Sequence, residues 1–263
     1  MTITRKVWLA MINPMNLKGK HFIVTGASSG LGRQTCLTLS QLGARISLIA
    51  RNVAKLNETV ALMEGTDHEV FPFDVTCIED IENLVTAIVE KNGKVNGLVH
   101  AAGIGTIKPL SMTKYDFIKN MMDIHLFSFV ELVRIIAKKK NSNEGSSIVA
   151  ISSGATLSSD KGKVAYVATK GALDRVVKPL AIELGASRSF RVNTINPGWI
   201  KTNMYYEYIE EFGQERMKED LTGSFLGASE PVDVSYLIAF MLSDASKMIT
   251  GQNIIIDGGW TIH

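Results

Sequence analysis

The sequence predicts an α/β fold: one domain with a doubly wound parallel sheet and helices on both of its faces. Short segments rich in β-branched residues alternate with amphipathic segments of helical length, and no internal repeat interrupts them. A glycine-rich turn joins the first apolar segment to the first amphipathic one. A length of 263 residues with 46% hydrophobic residues fits one such α/β domain.

Strands and helices are expected in strict alternation along the chain. The strands are predicted at about 22–24, 44–50, 69–73, 97–100, 147–152, 191–195 and 253–256. The helices are predicted at about 33–41, 53–64, 78–91, 114–139, 164–184 and 232–242, and residues 203–227 are expected to be irregular and partly helical. Because crossovers between parallel strands are right-handed, all carboxyl ends meet at one edge of the sheet, where such folds bind ligands.

The domain is predicted to span residues 15–263, after an N-terminal extension of residues 1–14. The apolar patch 7–12 is too short for a secretory signal, and no run approaches the length of a membrane span. A net charge of +2 gives no reason to expect nucleic acid or membrane as a partner. Cys36 and Cys77 offer neither a disulfide framework nor a zinc site, so we expect no metal and a cytoplasmic location.

The first glycine-rich turn predicts a binding site for the pyrophosphate of a dinucleotide. Gly26 would allow the turn off the strand, Gly30 the approach of the phosphates, and Gly32 close packing of the helix on the sheet. Free N–H groups at the start of that helix would bind the phosphates. An ordinary tight loop is the alternative. The predicted contacts in this turn are Gly26, Ser28, Ser29, Gly30, Leu31 and Gly32.

The ends of the next strands suggest which dinucleotide is bound. Arg51 directly follows the second strand, where an arginine accommodates the 2′-phosphate of NADP and a carboxylate would favour NAD. A solvated arginine is the alternative. Asp74, before Val75, follows the third strand and is expected either to contact adenine or to cap a helix. A second small-residue turn, Ala101, Ala102 and Gly103, follows the fourth strand at the same edge.

A tyrosine and a lysine on one predicted helix are candidates for acid–base chemistry. Tyr166 and Lys170 are four residues apart and therefore share a helix face. A nearby ammonium lowers the pKa of a phenol and makes it a better proton donor or acceptor. The pair alone is a weak signal, because many surface helices carry it.

Taken in order, these motifs resemble those of the short-chain dehydrogenase/reductase family over about residues 15–263. The resemblance rests on the turn 25–32, Asp74, Ala-Ala-Gly, Ser153 thirteen residues before Tyr166, Tyr166-x-x-x-Lys170 and Pro197-Gly198. It implies a single Rossmann-type domain and an NAD(P)-dependent oxidoreductase that moves a hydride between nicotinamide and a carbonyl or alcohol carbon. It also implies a frequent homotetrameric assembly.

The resemblance assigns roles to individual residues. Ser153 would hydrogen-bond the substrate oxygen, with Ser152 as the alternative, and Tyr166 would give that oxygen a proton. Lys170 would lower the pKa of Tyr166 and hold the nicotinamide ribose. Further cofactor contacts would come from Pro197, Gly198, Ile200 and Thr202. The stretch 204–225 would form a variable substrate lid, with Tyr205, Tyr206, Tyr208, Phe212 and Phe225 as its aromatic residues.

Two positions depart from the family pattern. After the fourth strand the family usually has Asn-Asn-Ala-Gly, whereas this chain has His100-Ala101-Ala102-Gly103. Because the asparagine amides are absent, hydrogen bonds between neighbouring strands are expected to be lost there. His125 stands where the family has a fourth catalytic residue, an asparagine that holds a water of the proton relay. His125 is therefore either a catalytic residue of that relay or a buried structural histidine.

The leading interpretation is an NADP-dependent reductase similar to 3-oxoacyl-carrier-protein reductases, which uses NADPH on a small carbonyl or acyl-carrier substrate. The tail Ser-Asp-Ala-Ser-x-x-Ile-Thr-Gly-Gln, followed by Asp-Gly-Gly, supports this group without selecting a substrate. The alternatives are a sugar, polyol or small-ketone dehydrogenase, and a non-catalytic NADP-binding regulator.

Overall fold

A seven-stranded parallel sheet forms the centre of the protein in a computed structural model that describes residues 13–158 and 161–262. The strands are β1 (His21–Thr25), β2 (Arg45–Ala50), β3 (Glu69–Pro72), β4 (Val95–His100), β5 (Ser142–Ile151), β6 (Arg191–Pro197) and β7 (Asn253–Ile256). Their order is β3-β2-β1-β4-β5-β6-β7, and every neighbouring pair is parallel. This confirms the predicted fold class. Residues 1–12, most of the predicted extension, lie outside the described residues.

Helices cover both faces of the sheet. They are α1 (Gly30–Gln41), α2 (Val53–Ala61), α3 (Ile81–Asn92), α4 (Tyr115–Met122), α5 (Ser128–Ile136), α6 (Val164–Arg188), α7 (Asn203–Phe212), α8 (Gln214–Asp220) and α9 (Pro231–Leu242). Successive strand residues point to opposite faces. Ile23 accordingly joins a core with Phe129 and Leu173, whereas Val24 joins a second core with Leu39 and Ile238.

Strand order reverses at β1, and this reversal creates the crevice of the fold. The chain moves from β1 through β2 to β3 on one side, then crosses back and places β4 on the other side of β1. The loops after β1 and β4 therefore leave the sheet in opposite directions and open a gap between them. Both predicted small-residue turns lie at this gap.

The long helix predicted at 114–139 is interrupted. Helices α4 and α5 are joined by a π-helical segment, Asp123–Phe127, which the sequence did not reveal. The wider turn frees the carbonyl of Ile124, which accepts hydrogen bonds from Ser128 Oγ at 2.7 Å and from His100 Nε2 at 3.2 Å. The interruption places His125 beside the turn that follows β4.

Two other features of the described residues bear on the chemistry. None of the helices in 13–158 and 161–262 is long and apolar enough to cross a membrane. Both cysteines are free thiols: Cys36 is buried on α1, and Cys77 is exposed just beyond β3.

Candidate active site

A cleft of about 780 Å³ opens along the carboxyl edge of the sheet. Its lining contains every cofactor contact predicted from the sequence: Gly26, Ser28, Ser29, Gly30, Leu31, Gly32, Arg51, Asp74, Val75, Ala101, Ala102, Gly103, Tyr166, Lys170, Pro197, Gly198, Ile200 and Thr202. Ser153 lines the same cleft. His125 is fully buried and lies behind the wall that Gly103 and Ile104 form.

The glycine turn is packed too tightly for any side chain at two of its positions. Gly26 has a φ of +69°, and a Cβ there would lie 2.8 Å from the carbonyl oxygen of Ala101. A Cβ on Gly32 would lie 2.2 Å from the carbonyl oxygen of Gly26. Helix α1 therefore starts directly against the end of β1, and its first N–H groups lack partners within the helix. The cradle fits the pyrophosphate of a dinucleotide.

A cation and a carboxylate meet at the end of the cleft near β2 and β3. Arg51 Nη1 lies 3.7 Å from Asp74 Oδ2, and the Arg51 side chain is 77% exposed. Asp74 Oδ1 accepts hydrogen bonds from the Thr76 amide at 3.0 Å and hydroxyl at 2.8 Å. Burial acts to raise the pKa of Asp74, but the Thr76 hydrogen bonds and Arg51 outweigh it and keep the pKa below its usual range. Arg51 is thus held loosely at the cleft edge.

Ser153 and Tyr166 meet in the middle of the cleft. Their side chains share a hydrogen bond, and Ser153 Oγ also accepts from the amide of Ala155 at 3.1 Å. The amide of Ala155 thereby fixes Ser153 Oγ beside the phenol of Tyr166. Ser152 points away from this pair, because its hydroxyl donates to the Lys170 carbonyl at 3.2 Å and is buried.

Lys170 is buried one helical turn after Tyr166. Its Nζ donates to the carbonyl oxygen of Ile151 at 2.7 Å, and a Cβ on Gly103 would lie 3.4 Å from it. Burial lowers the pKa of Lys170 to about 8, although the carboxylate of Asp174 acts in the opposite direction. Asp174 is held by Thr156 Oγ1 at 2.7 Å and by Asn196 Nδ2 at 2.9 Å.

The expected effect of Lys170 on the pKa of Tyr166 is absent. Burial raises the pKa of Tyr166 above its usual value, and the hydrogen bond with Ser153 opposes this rise only in part. The ammonium of Lys170 is directed to Ile151 rather than to the phenol. Tyr166 is therefore a protonated phenol at neutral pH, which is the form needed to donate a proton.

Hydrogen bonds define the protonation state of His125. The amide of Ile104 donates to Nε2 at 3.1 Å, so the proton of the neutral ring is on Nδ1 and is donated to Thr169 Oγ1 at 2.8 Å. The Thr169 hydroxyl in turn donates to the carbonyl of Tyr166 at 3.0 Å. Burial, followed by the charge of Lys170, lowers the pKa of His125 to about 2. The ring is a neutral bridge between the turn after β4 and the helix that carries Tyr166.

His100 makes hydrogen bonds where a loss was expected, so that expectation was wrong. Its Nε2–H donates to the carbonyl of Ile124, and its Nδ1 accepts from the hydroxyl of Thr25 at 3.1 Å. Thr25 Oγ1 also accepts from the amide of Ala102 at 3.0 Å. The imidazole thus ties β4 to β1 and to the π-helical segment. Burial, with the charge of Lys170, lowers the pKa of His100 to about 3.

Aromatic residues form the wall at the other end of the cleft. The ring centroids of Trp199 and Tyr208 are 4.8 Å apart, those of Tyr208 and Phe212 are 4.7 Å apart, and Tyr205 lies 6.2 Å from Trp199. These four residues line the cleft, as Glu207 and Glu211 of α7 also do. The indole Nε1 of Trp199 is buried and has no hydrogen-bond partner among the described residues.

Sequence reasoning missed several lining residues. Lys163, whose Nζ lies 5.6 Å from the ring centroids of both Trp199 and Trp260, is three residues before Tyr166, and that spacing could have revealed it. Trp260 is brought to the cleft by the tail after β7, and no local pattern signals it. Of the aromatic residues predicted for the lid, Tyr205, Tyr208 and Phe212 line the cleft.

Comparison with known proteins is consistent with this site. A family profile described as enoyl-(acyl carrier protein) reductase matches residues 26–261. The chain is 32% identical over 252 residues to a 3-oxoacyl-[acyl-carrier-protein] reductase of Thermotoga maritima, covering 94% of this chain and 100% of the relative.

Solved structures agree with the fold. A short-chain dehydrogenase/reductase from Brucella melitensis superposes with a TM-score of 0.86 at 28% identity, covering 93% of this chain and 98% of the other. A 7α-hydroxysteroid dehydrogenase complexed with NADH and 7-oxo glycochenodeoxycholic acid gives a TM-score of 0.88 at 28% identity, covering 95% and 98%.

Proposed function

We propose, because the chain belongs to the short-chain dehydrogenase/reductase family, that this oxidoreductase uses NADPH to reduce the carbonyl group of a small ketone. The observation that carries the proposal is the meeting of Ser153, Tyr166 and Lys170 with the glycine cradle in one cleft. A regulator that only binds a dinucleotide would not require the proton-donating pair.

The chemistry that NADPH would supply when bound is the hydride for the carbonyl carbon, and side chains of the protein would bind and protonate the carbonyl oxygen. Ser153 donates a hydrogen bond that holds the substrate oxygen beside Tyr166. The phenol of Tyr166 gives that oxygen its proton, so the product is an alcohol. The glycine turn, Arg51 and Lys170 would hold the pyrophosphate, the 2′-phosphate and the nicotinamide ribose respectively. The raised pKa of Tyr166 keeps its phenol protonated at neutral pH, which is the state that proton donation to the substrate oxygen requires.

For His125 we propose a positioning role rather than a place in a proton relay. Both ring nitrogens are occupied by Ile104 and Thr169, and the ring stays neutral. It therefore fixes the distance between the turn at Gly103 and the helix that carries Tyr166.

The proton-donating role of Tyr166 is tested by Tyr166→Phe. We expect reduction to fall by at least about 10² because the ring remains but the acidic proton is lost. NADPH binding, followed by the change in nicotinamide fluorescence, should persist. Retention of full turnover would mean that another acid serves the reaction.

The choice of NADPH is tested at Arg51. A guanidinium grips phosphate with two hydrogen bonds, so NADPH should bind about tenfold more tightly than NADH. Arg51→Asp should reverse this order. NADH affinity in Arg51→Gln serves as the control, because removal of a phosphate contact should leave it unchanged. Equal affinities in the unmodified protein would contradict the proposal.

A second substrate class is supported by the 3-oxoacyl-[acyl-carrier-protein] reductase named above. In that case the carbonyl would arrive on a thioester chain attached to a carrier. The aromatic wall instead favours a small substrate that binds entirely within the cleft and is not attached to a carrier, because four rings offer a large apolar surface. Oxidation of NADPH with acyl thioesters, diketones and keto-sugars separates these classes.

We also propose a homotetramer, as the family resemblance implies. Ile182, Met248 and Ile255, the last on edge strand β7, are exposed apolar side chains that a second copy could cover. Light scattering at micromolar concentration is the test, and a monomer would contradict this assembly.

A further inference from the structure

We propose that Asp174 is a positioning residue of the reaction, because its buried carboxylate holds the short segment that places the Ser153 hydroxyl beside the phenol of Tyr166. The inference rests on the proposed function, since Ser153 and Tyr166 are the pair that would bind and protonate the substrate oxygen. Asp174 does not line the cleft, so it acts only through the residues that it holds.

Helix α6 contacts the chain on both sides of the serine. Lys170 lies one turn after Tyr166 on this helix, and Asp174 lies one turn after Lys170. Lys170 Nζ donates to the carbonyl of Ile151 at 2.7 Å, just before the serine in the chain. Asp174 Oδ2 accepts from the hydroxyl of Thr156 at 2.7 Å, just after the serine. The helix that carries the phenol therefore holds both ends of the segment that carries the serine.

A second donor connects the carboxylate to the backbone of Ser153. Asn196, near the end of β6, donates from Nδ2 to Asp174 Oδ2 at 2.9 Å and to the carbonyl of Ser153 at 3.3 Å. The hydroxyl of Thr156 also lies 2.9 Å from that carbonyl. Asn196 directly precedes Pro197, for which a cofactor contact is proposed. The carboxylate thus joins the serine segment to the strand that leads to the cofactor.

The carboxylate of Asp174 is buried and surrounded by donors. The residue is 7% exposed, and its Oδ1 accepts from Thr194 Oγ1 at 3.1 Å and from Asn253 Nδ2 at 3.4 Å. Burial of a carboxylate is costly, and a hydrophobic residue often fills such a position with equal or greater stability. What the carboxylate adds is a fixed arrangement of its donors, which lie on β6, on β7 and in the segment after β5.

The segment that carries the serine depends on these contacts for its position. Ser153 is followed by a single 3₁₀ turn, Gly154–Thr156. A turn of three residues has poor internal hydrogen-bond geometry and little stability of its own. Without the carboxylate, the Thr156 hydroxyl and the Asn196 amide lose their shared acceptor. We therefore expect the serine to shift relative to the phenol, and a shift of about 1 Å can lower a rate by about 10².

Asp174→Asn tests the inference, because the amide has the shape of the carboxylate but presents N–H groups where the carboxylate accepts. The kcat/KM should fall by at least about tenfold for the best substrate among the acyl thioesters, diketones and keto-sugars, while NADPH affinity is retained. In a Ser153→Ala background the same change should lower kcat/KM by less than about twofold, since no hydroxyl is left to position. Equal fold-changes in both backgrounds would overturn the inference.

A milder matched pair decides the question if Asp174→Asn does not fold. Thr156→Val keeps the shape of the side chain but removes the hydroxyl that Asp174 accepts, and it should lower kcat/KM in the same direction. Thr156→Ser keeps the hydroxyl and should retain most of the rate. Equal rates in these two variants would contradict the proposed role of the carboxylate.

Ser147→Ala controls for a general loss of stability. Ser147 lies at the opposite end of β5, where its buried hydroxyl donates to the carbonyl of Met241 at 2.7 Å. This variant should lower the melting temperature without changing kcat/KM. A rate that simply follows the melting temperature through all of the variants would overturn the inference.

Hydrogen exchange separates this inference from the proposed function, because it needs no turnover. The amides of Ala155 and Thr156 donate to Ser153 Oγ and to its carbonyl at 3.1 and 3.2 Å. In Asp174→Asn, amides 155–157 should exchange at least about tenfold faster, while those of β1 keep their rate.

The combined outcomes are distinct. If exchange changes only at 155–157 but no substrate oxidises NADPH, Asp174 still positions the serine and the proposed function fails. If substrates are reduced and Asp174→Asn alters neither this exchange nor kcat/KM, the proposed function stands and the inference fails. Equally faster exchange at 155–157 and in β1 would show a general loss of stability and would also overturn the inference.

Discussion

At the scale of single residues, we propose that His125 positions the residues of the site without reacting itself. Its imidazole joins Ile104, Thr169 and, through Thr169, the backbone of Tyr166. The ring has no nitrogen left for a relay water. Its effect on the reaction is therefore expected to come through the position of the phenol.

Replacement of His125 by alanine tests this role. The change leaves the Ile104 amide without its acceptor and removes the hydrogen bond that Thr169 Oγ1 accepts, so the melting temperature should fall by several degrees. Where the variant is still folded, kcat should fall while the affinity for NADPH is retained. The pH profile of kcat should have the same shape between pH 6 and 8 in both proteins. An ionisation near pH 6.5 that disappears in His125→Ala would instead establish the relay.

The matched control for this variant is His21→Ala. His21 is also buried and hydrogen-bonded, to Ser47 and Gly93, but it lies at the opposite end of the sheet. The variant His21→Ala should lower the melting temperature without changing kcat. This result would separate the positioning role of His125 from a general contribution to stability. His125→Asn, the residue type of the family, should recover part of the rate.

At the scale of elements, the contact between β1 and α1 decides whether the cradle forms. Gly32→Ala places a Cβ 2.2 Å from the Gly26 carbonyl, so α1 must move away from the strand. We expect a loss of NADPH affinity of at least about tenfold together with a lower melting temperature. Gly171→Ala in α6 is the control: its Cβ would meet nothing within 4 Å, and helix propensity predicts a stabilisation of about 0.5–1 kcal/mol. Similar effects of both variants on NADPH affinity would contradict this account.

The sequence predicted the elements whose signals are local. The apolar strands, the glycine turn and the spacing of Tyr166 and Lys170 can each be recognised from neighbouring residues in the sequence. In the structure, the glycine turn, Tyr166 and Lys170 line the same cleft. The π-helical segment at Asp123–Phe127 was missed because its cause is tertiary. The predicted lowering of the pKa of Tyr166 by Lys170 was also wrong. The direction of this pKa shift depends on burial and on which acceptor the Lys170 ammonium reaches. Trp260 was missed for the same reason, because only the folded chain brings it to the cleft.

At the scale of the whole molecule, buried histidines make stability depend on pH. Burial lowers the pKa of His21 to about 4, of His100 to about 3 and of His125 to about 2, against 6.5 when unfolded. Below pH 6.5 the unfolded chain binds more protons than the folded one, so stability falls with falling pH.

Each of these histidines contributes a loss of at most about 1.4 kcal/mol per pH unit between pH 6.5 and its folded pKa. Urea unfolding at pH 7.5, 6.5, 5.5 and 5.0 measures the slope above the range in which Asp74 and Asp257 titrate. His21→Gln should reduce the slope by about one third, because one of three proton uptakes is removed. A free energy of unfolding that is constant from pH 7 to 5 would contradict the neutral state of these rings.

The placement of the two thiols makes the molecule suited to site-specific labelling. Cys36 is buried and its pKa is raised by burial, so it should not react with a maleimide while the chain is folded. Cys77 is exposed. Its backbone N–H donates a hydrogen bond to the carbonyl of Asp74 at 3.0 Å, and Asp74 lines the cleft. One dye per chain would therefore attach, without mutagenesis, near the end of the cleft that we propose for the adenosine. Its fluorescence would report the arrival of a dinucleotide.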